Sequence, residues 1–429
     1  MGGLLLSSCG DSGGTDNLGG IGSGPNGYRF FSLFDSGSVL PDGRTLESLP
    51  GQVLLNGAGQ VLFFGQTAQG MGLYELIPDY PAILRENRGI LLGARKLLAR
   101  GDTLSDGSRL LGLGAVASNS RGNKAIVVRT DQKKRNLLFE PSGGEAGVVA
   151  TFRTPIPESG IRFGGTFGDI DLNDQDGLLV VDHYTRQGEV RPHQGLFFLQ
   201  QARVDANTRL LQSSRDLLPD AEGTVSNIGL VDLNSNGSYV AQVGGPAPLP
   251  LSRGSLPPQG LLLGSVEDGL ASRLLVAPPS FRVSARTTSD KFAPGSLIFG
   301  PRLADQSDTV AHIVHHTQTQ QALFLNSQQV AQVGDRSPGG STIRGFSAPV
   351  LSPDGVLYGI VITDQGHELI RLSAGGPVLL LARGDTVQGK VVNSVVHGFH
   401  SDQADQLGRL VFVGEFMDGS SAVMLGLPI

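Results

Sequence analysis

The chain has 429 residues and a formal net charge of −6, with 62 Gly and 24 Pro against 17% charged residues. Its Lys and Arg residues form no long block that would attract a phosphate backbone, so we do not expect nucleic acid as a partner. A single Cys and the lack of Trp exclude a disulfide framework, a Cys-based zinc site and Trp-marked propeller repeats. The 39% hydrophobic content can still build a core, so the composition favours short strands separated by many turns.

Cys9, the single cysteine, follows Leu4-Leu5-Leu6-Ser7-Ser8. This order of apolar residues, two small residues and Cys resembles the lipobox of bacterial lipoproteins, in which the Cys becomes diacylated. We therefore predict lipidation of Cys9 in an exported, membrane-anchored protein facing the periplasm or the cell surface. Residues 1–8 lack the basic start and the roughly 7–15 apolar residues of an export signal, so we interpret them as the end of a longer leader. The alternative is a thiol in a disordered tail.

Residues 9–27 are mostly Gly, Ser, Asn and Asp, a composition typical of a flexible tether. No apolar run of membrane-spanning length occurs, so we expect the chain to contact a membrane through its lipid anchor only. Residues 28–429 are predicted to form one folded domain.

Seven polar turns recur along that domain, each between two extended runs. Asn or Asp can bond its own backbone across such a turn, and Gly accepts the positive φ at which a hairpin reverses. The turns are Asn56–Gly59, Asn119–Gly122, Asn173–Gly177 (one residue longer), Asn234–Gly237, a degraded Asp305–Asp308, Ser352–Gly355 and Asp405–Gly408.

A second series consists of seven apolar runs, one at the end of each unit. Several of these runs are followed by a short polar stretch that contains Gly and Asp, here called a Gly-Asp stop. The runs are Phe31–Phe34, Lys96–Ala99, Val148–Phe152, Arg209–Leu211, Arg273–Val276, Val330–Val333 and Val378–Ala382. With two strands between each turn and the next stop, the pattern predicts an all-β fold, a β-propeller of seven four-stranded blades. The N-terminal strand near Phe31 should pair with the C-terminal strand near Met424 and close the ring without an exposed edge.

The turns resemble the tandem Asn-x-x-Gly-x-x-Ala-Phe repeats of a group of bacterial exported proteins that carry various surface anchors. The resemblance covers nearly all of Tyr28–Ile429, with Asp305, Ser352 and Asp405 in place of Asn, and it implies a repeat architecture and export. Ser352-Pro353-Asp354-Gly355 also resembles the propeller repeats of periplasmic translocation proteins.

The Gly-Asp stops provide candidate ligand-binding residues. We expect Asp102, Asp335 and Asp385 to ring one mouth of the central channel, beneath the loops 182–194 and 244–259, where they could bind a cation, a basic ligand or a sugar. The alternative is structural: Gly supplies positive φ and Asp caps the turn.

Asp232, Asn234 and Asn236 have the spacing of the first half of a calcium loop, but position twelve of an EF-hand would be Val243, which has no carboxylate. A shortened calcium turn and a well-formed structural turn are the alternatives, and no other cofactor is expected. His315-His316 and His397/His400 should point to opposite faces of their strands, so they are not arranged to chelate one metal. The sequence contains no nucleophile elbow, phosphate-binding loop, zinc-protease motif or dinucleotide fingerprint.

Together these features favour a lipid-anchored propeller that acts as a non-catalytic binding or scaffolding module, with an envelope protein or glycan as its partner. One alternative is a hydrolase or lyase acting on a glycan or peptide at the channel mouth. Buried carboxylates or His from different blades that face one pocket would favour this enzyme. A structural repeat protein of a surface assembly is the third reading.

Overall fold

A computed structural model describes residues 23–24, 27–132, 134–214, 216–217, 221–222, 224–244, 259–268, 271–276, 282–283, 297–317, 320–347, 349–373, 376–396 and 403–429. Seven antiparallel sheets arranged as a β-propeller dominate these residues, which confirms the predicted all-β class and blade number. No helix among the described residues has the length and apolarity needed to cross a membrane.

Each blade is numbered in chain order, and its strands are given from first to fourth. Blade 1 contains Val53–Leu55, Val61–Thr67, Gly70–Pro78 and Leu91–Ala99, and blade 2 contains Leu110–Ser118, Lys124–Thr130, Arg135–Glu140 and Gly147–Ala150. Blade 3 has a divided first strand (Ile161–Phe163 and Ile170–Leu172) followed by Leu178–Arg186, His193–Leu199 and Arg209–Ser213. Blade 4 contains Asn227–Leu233, Ser238–Gly244, Gln259–Ser265 and Ala271–Val276.

Blade 5 contains Leu297–Leu303, Val310–Thr317, Gln320–Leu325 and Gln328–Gln332. Blade 6 also has a divided first strand (Ile343–Phe346 and Val350–Leu351), followed by Leu357–Thr363, Gly366–Ser373 and Gly376–Ala382. Blade 7 contains Lys390–Val396, Leu410–Phe416, Ser421–Pro428 and, from the other end of the chain, Tyr28–Asp35. Short strands Ser23–Gly24, Ala221–Glu222, Arg282–Val283 and Thr386–Val387 lie outside the four-stranded pattern.

The hydrophobic core lies between blades, because each strand alternates its side chains between the two faces of its sheet. Phe64 of blade 1 shares a buried cluster with Ile126 of blade 2, and equivalent clusters fill the other six interfaces. A single blade therefore leaves both faces uncovered, and stacking around the ring buries them.

The predicted closure of the ring is confirmed. Tyr28–Asp35 pairs antiparallel with Ser421–Pro428, with Phe31 opposite Leu425 and Ser32 opposite Met424. Phe31 packs in the same buried cluster as residues of blade 1, so the N-terminal strand supplies both the last strand of blade 7 and part of the next interface.

One short helix, Tyr80–Glu86, interrupts the all-β pattern between the third and fourth strands of blade 1. Asp79 caps it by accepting a hydrogen bond from Ala82 N at 3.0 Å, and it ends at Asn87, whose φ of 53° is left-handed. This helix was not predicted from the sequence, although Asp79 and the following Tyr-Pro are ordinary helix-start signals.

Blades 1 and 2 are also joined by four buried or half-buried charges. Lys124, with no exposed surface, lies 2.9 Å from Glu75 and 3.8 Å from Glu140, and Arg95 contacts both carboxylates. Burial opposes ionisation of Glu75, but hydrogen bonds from Arg95 and Lys124 lower its pKa, whereas burial raises the pKa of Glu140. Two cations and two carboxylates balance each other, which is the condition for burying charge.

Candidate functional site: the channel mouth

The seven turns between first and second strands meet at one end of the central channel. They enclose a cavity of about 70 Å³, here called the channel mouth. All seven blades line it, through Leu55, Asn56, Gly57, Ser118, Asn119, Ser120, Leu172, Asn173, Asp174, Asp232, Leu233, Ser235, Leu303, Asp305, Leu351, Pro353, Ala404, Asp405 and Gln406. This volume holds a few water molecules or one small polar group, because a single water needs roughly 10–15 Å³.

The first residue of each turn shapes the loop by accepting a backbone hydrogen bond. Asn56 Oδ1 accepts from Gln60 N at 2.9 Å, four residues on, and Ser352 Oγ does the same for Val356 N. The pattern recurs at Asn119, Asn173, Asn234 and Asp405. The prediction that the first polar side chain of each turn bonds the backbone across that turn is therefore confirmed in six blades.

Two details of the predicted turns are wrong. The turn at Asn173 has the same size as the others, because its backbone closes on Gly177 as that of Asn56 closes on Gln60; Asp176 takes the left-handed position with φ 61°. In blade 5 the position of Asn is occupied by Ala304 rather than Asp305, since Ala304 N pairs with Thr309 O across a longer turn. The sequence predicted the polar Asp305 at the first position of this turn, which Ala304 occupies in the structure.

Asn also links neighbouring blades, a role the sequence did not reveal. Asn119 Nδ2 donates to Asn173 O at 2.9 Å, Asn173 Nδ2 to Asn234 O at 3.4 Å, and Asn234 Nδ2 to Ala304 O at 3.4 Å. A Cβ added to Gly57 would lie 2.5 Å from Ser120 Cβ, so these two turns are in close contact as well. These contacts join the turns of blades 1 to 5 around the mouth.

Four carboxylates from four blades face this cavity. Asp174 Oδ1 accepts from Ser120 N at 2.7 Å, Asp305 Oδ1 accepts from Ser235 N at 2.6 Å, and Asp232 Oδ2 accepts from Leu303 N at 2.7 Å. Asp405 pairs with Arg409. Each of the first three uses one oxygen in these bonds.

No Lys, Arg or His is found among the described residues that line the mouth, so its lining is acidic. Carboxylate oxygens accept hydrogen bonds and attract cations. The cavity is therefore suited to a small positively charged group that carries N–H donors.

Asp169 directly precedes Ile170–Leu172, the second part of the divided first strand of blade 3. Burial raises its pKa to about 6, although a hydrogen bond from Val231 N and the charge of Arg302 act in the opposite direction; Asp232 raises it further. Asp171 Oδ2 likewise accepts from Leu233 N at 2.6 Å. These carboxylates fasten blade 3 to blade 4.

The predicted ligand-binding residues lie in the links between blades, at the opposite face from the turns. Asp102 Oδ2 accepts from Ala99 N at 2.8 Å, Asp335 Oδ2 from Gln332 N at 2.9 Å, and Asp385 Oδ2 from Ala382 N at 2.7 Å. Asp216 makes the same contact with Ser213 N at 2.6 Å without a preceding Gly. This common geometry is that of the structural alternative, and none of the three predicted residues lines the channel mouth. Their binding of a ligand stays a prediction.

The predicted calcium residues form part of the best-developed turn. Asn234 Oδ1 accepts from Asn236 N at 3.1 Å and from Ser238 N at 2.8 Å, while Asp232 bonds Leu303 N. In the described part of the chain no three His, Cys, Asp or Glu side chains are grouped so that they could hold a metal ion. Calcium binding here stays a prediction, and the contacts match the turn reading.

Several predicted features lie outside the described residues, namely Cys9, His397, His400 and most of the loop 244–259. His315 is described, and burial lowers its pKa. Lipidation of Cys9, export and the membrane anchor therefore stay predictions.

The sequence missed Asp174 and Asp305 as mouth residues, although both belong to the predicted turns. The available signal was positional. The residue after the turn-initiating position lines the mouth in every blade, so a carboxylate at that position contributes to the cavity.

Fold and site define this protein as a seven-bladed β-propeller that has, at one end of its central channel, a small cavity lined by the seven turns and by four carboxylates. No family model matches the sequence, and no curated protein is similar to it at a significant level.

Solved structures share the fold at low identity. A prolyl endopeptidase is 11% identical, with a TM-score of 0.46 over 94% of this chain and 48% of its own. A puromycin hydrolase is 13% identical, with a TM-score of 0.48 over 86% of this chain and 50% of its own. A protein from Lactobacillus plantarum is 11% identical, with a TM-score of 0.39 over 84% of this chain and 96% of its own. The chain spans about half the length of the endopeptidase and the hydrolase.

The prediction of a non-catalytic binding or scaffolding module is not supported by these comparisons, in which the solved structures that match include endopeptidases and a hydrolase. At these identities the likeness is one of fold.

Proposed function

We propose that the protein serves the hydrolysis of peptides, and that the channel mouth binds the positively charged end of a peptide. The observation that carries this proposal is the convergence of Asp174, Asp232, Asp305 and Asp405, from four different blades, on one small cavity. A convergence of carboxylates from different blades on one pocket favours an enzyme over a partner-binding surface.

The size of the cavity supports a terminal group as its ligand. About 70 Å³ accommodates an ammonium or guanidinium group, but no folded domain and no sugar chain. Such a group carries several N–H donors, which match the acceptor-only oxygens of the carboxylates. An amino terminus of a peptide meets both requirements.

The test uses the full chain and a defined mixture of peptides, with new termini detected by mass spectrometry. Peptides with a free amino terminus should be cleaved, and the same peptides with an acetylated terminus should be cleaved at least about tenfold more slowly, a loss of one charged contact. The double variant Asp174→Asn/Asp305→Asn should raise KM by a similar factor, because it removes charge and leaves an acceptor for the turn hydrogen bonds.

Asp308→Asn is the matched control, since Asp308 is exposed, lies in the same turn as Asp305 and is not among the described mouth residues. It should leave cleavage unchanged. The proposal is wrong if no peptide in the mixture is cleaved, or if acetylation of the amino terminus has no effect.

A further inference from the structure

A second cavity lies between blades 1 and 2 on the face opposite the channel mouth. It has a volume of about 490 Å³ and is lined by Arg44, Gln69, Arg100, Gly101, Asp102, Arg109, Leu110 and Leu111. Three guanidinium groups therefore share one open cavity, although their residues are up to 65 positions apart in the sequence. Volumes of roughly 300–1,000 Å³ are typical of small-ligand pockets.

The carboxylates near this cavity already have partners. Asp102 lies 2.9 Å from Lys96 Nζ, Asp42 lies 3.3 Å from Arg44 Nε, and Asp131 Oδ1 accepts from the backbone N of Arg109 at 3.1 Å. The positive charges of Arg100 and Arg109 form no ion pair with the described residues. The cavity therefore retains positive charge.

Arg44 lines the cavity and is held by its ion pair with Asp42, which its Nε contacts at 3.3 Å. Arg100 and Arg109 therefore supply the charges that remain for a ligand. Among the described residues, the Arg109 side chain makes one hydrogen bond, from Nε to Gly101 O at 3.3 Å.

Arg100 has a structural role in addition to lining the cavity. Arg383 occupies the equivalent position in blade 6 and shares the structural role, so it can be used to separate the two roles. The side-chain stem of Arg100 packs over Gly70, the first residue of the third strand of blade 1, and the stem of Arg383 packs in the same way over Gly366, the first residue of the third strand of blade 6. Both glycines have positive φ. Only Arg100 has Arg44 and Arg109 beside it in the cavity.

We propose that Arg44, Arg100 and Arg109 form a binding site for an oxyanion, a phosphate or carboxylate group of a small molecule. Guanidinium groups bind both oxyanions through paired N–H donors, which a Lys ammonium cannot do. The site is independent of the channel mouth, because it lies at the other face of the ring and takes a ligand of opposite charge.

Isothermal titration at low ionic strength with inorganic phosphate, and separately with acetate, tests this site. At least one of the two anions should bind with one-to-one stoichiometry, and Arg100→Gln and Arg109→Gln should each weaken binding about tenfold, as expected for one charged hydrogen-bonded contact. Tighter binding of phosphate assigns a phosphate ligand, and tighter binding of acetate assigns a carboxylate.

Arg383→Gln is the control, since it removes the same side chain from the same kind of turn and should leave binding unchanged. Thermal unfolding of each variant shows whether the fold is retained. Saturable binding of neither anion up to about 10 mM, which corresponds to a negligible affinity, would overturn the proposal. Equal weakening by Arg383→Gln and Arg100→Gln would overturn it as well.

Discussion

His312 lies in the second strand of blade 5 with no exposed surface, and its ring stacks on that of Phe324 at 5.3 Å between centroids. Neither ring nitrogen has a hydrogen-bond partner in the described part of the chain. Burial lowers the pKa of His312 to about 4, because an imidazolium would be placed among apolar groups without a counterion. The side chain behaves as an aromatic residue that becomes unfavourable when protonated.

The protein should therefore lose stability in mild acid through this residue. Between pH 6.5 and 4 the unfolded chain binds a proton at His312 that the folded chain does not, so the free energy of unfolding falls as the pH falls. From pH 7 to pH 5 the contribution is about 2 kcal/mol, and His312→Phe should abolish that part of the loss. Denaturant unfolding of both proteins at the two pH values measures it.

His183→Gln is the control for this prediction, because His183 is exposed. It should leave the pH dependence of stability as in the unsubstituted protein. An equal loss between pH 7 and pH 5 in the unsubstituted protein and in His312→Phe would show that His312 does not titrate as described.

The turn between first and second strands is the repeated element that both closes a blade and joins it to the next. Asn119 shows the two functions in one side chain: Oδ1 accepts from Asn123 N, and Nδ2 donates to Asn173 O and to Asp176 Oδ1 at 2.8 Å. Asp, Ser or Asn can perform the first function. Only Asn performs both, which explains why the turns with Ser352 and Asp405 keep their shape without this link to the next blade.

Asn119→Asp separates the two functions. The turn should still form, but a carboxylate would face the carbonyl of Asn173 and the carboxylate of Asp176. We expect a loss of about 2–4 kcal/mol in the free energy of unfolding, from an unpaired buried acceptor and like-charge repulsion. Denaturant titration measures this value.

Asn236→Asp is the matched control, since Asn236 is an exposed residue of the equivalent turn in blade 4. Its effect should be below about 0.5 kcal/mol, as for most surface changes. Similar losses for the two variants would show that charge in the turns, rather than the blade-to-blade donor, is responsible.

Ring closure belongs to the whole molecule. The strand Tyr28–Asp35 completes blade 7 and buries Tyr28, Phe30, Phe31 and Leu33 in the interfaces on both sides. Tyr28 also donates a hydrogen bond to Gly408 O at 2.6 Å, in the turn that follows the first strand of the same blade. Closure thus joins the two ends of the chain in one sheet and covers an edge that would otherwise accept another strand.

Deletion of residues 1–35 should open the ring. Four buried side chains, each contributing about 1.5–3 kcal/mol, are lost with the strand, so we expect the Tm to fall by more than about 10 °C or cooperative unfolding to disappear. Deletion of residues 1–22 should leave the Tm unchanged, because the paired strand is retained. Calorimetry of the two truncated proteins distinguishes these outcomes, and an equal Tm in both would contradict closure as a source of stability.

The sequence by itself determined the number of blades, their turns and the closure of the ring. Asn56 and Gly59, or Asp405 and Gly408, form a turn through contacts within five residues, and short apolar runs need neighbours on both faces to be buried. Such local signals survive in a single sequence. The helix Tyr80–Glu86 was missed because it is an insertion that occurs in one blade and does not repeat. The role of Ala304 was missed because the turn of blade 5 is longer than the other turns.

Only the tertiary structure decided which side chains meet. Asp174 and Asp305 line one cavity, and Arg44, Arg100 and Arg109 line another, because loops from different parts of the chain meet there. Asp174 and Asp305 are 131 positions apart and Arg44 and Arg109 are 65 apart, so no local pattern relates the members of either group. The face on which a site lies depends on strand direction and on the packing of neighbouring turns. The Gly-Asp stops are prominent in the sequence and form hydrogen-bonded links between blades. The second residue of each turn is less prominent, but it lines the channel mouth in every blade.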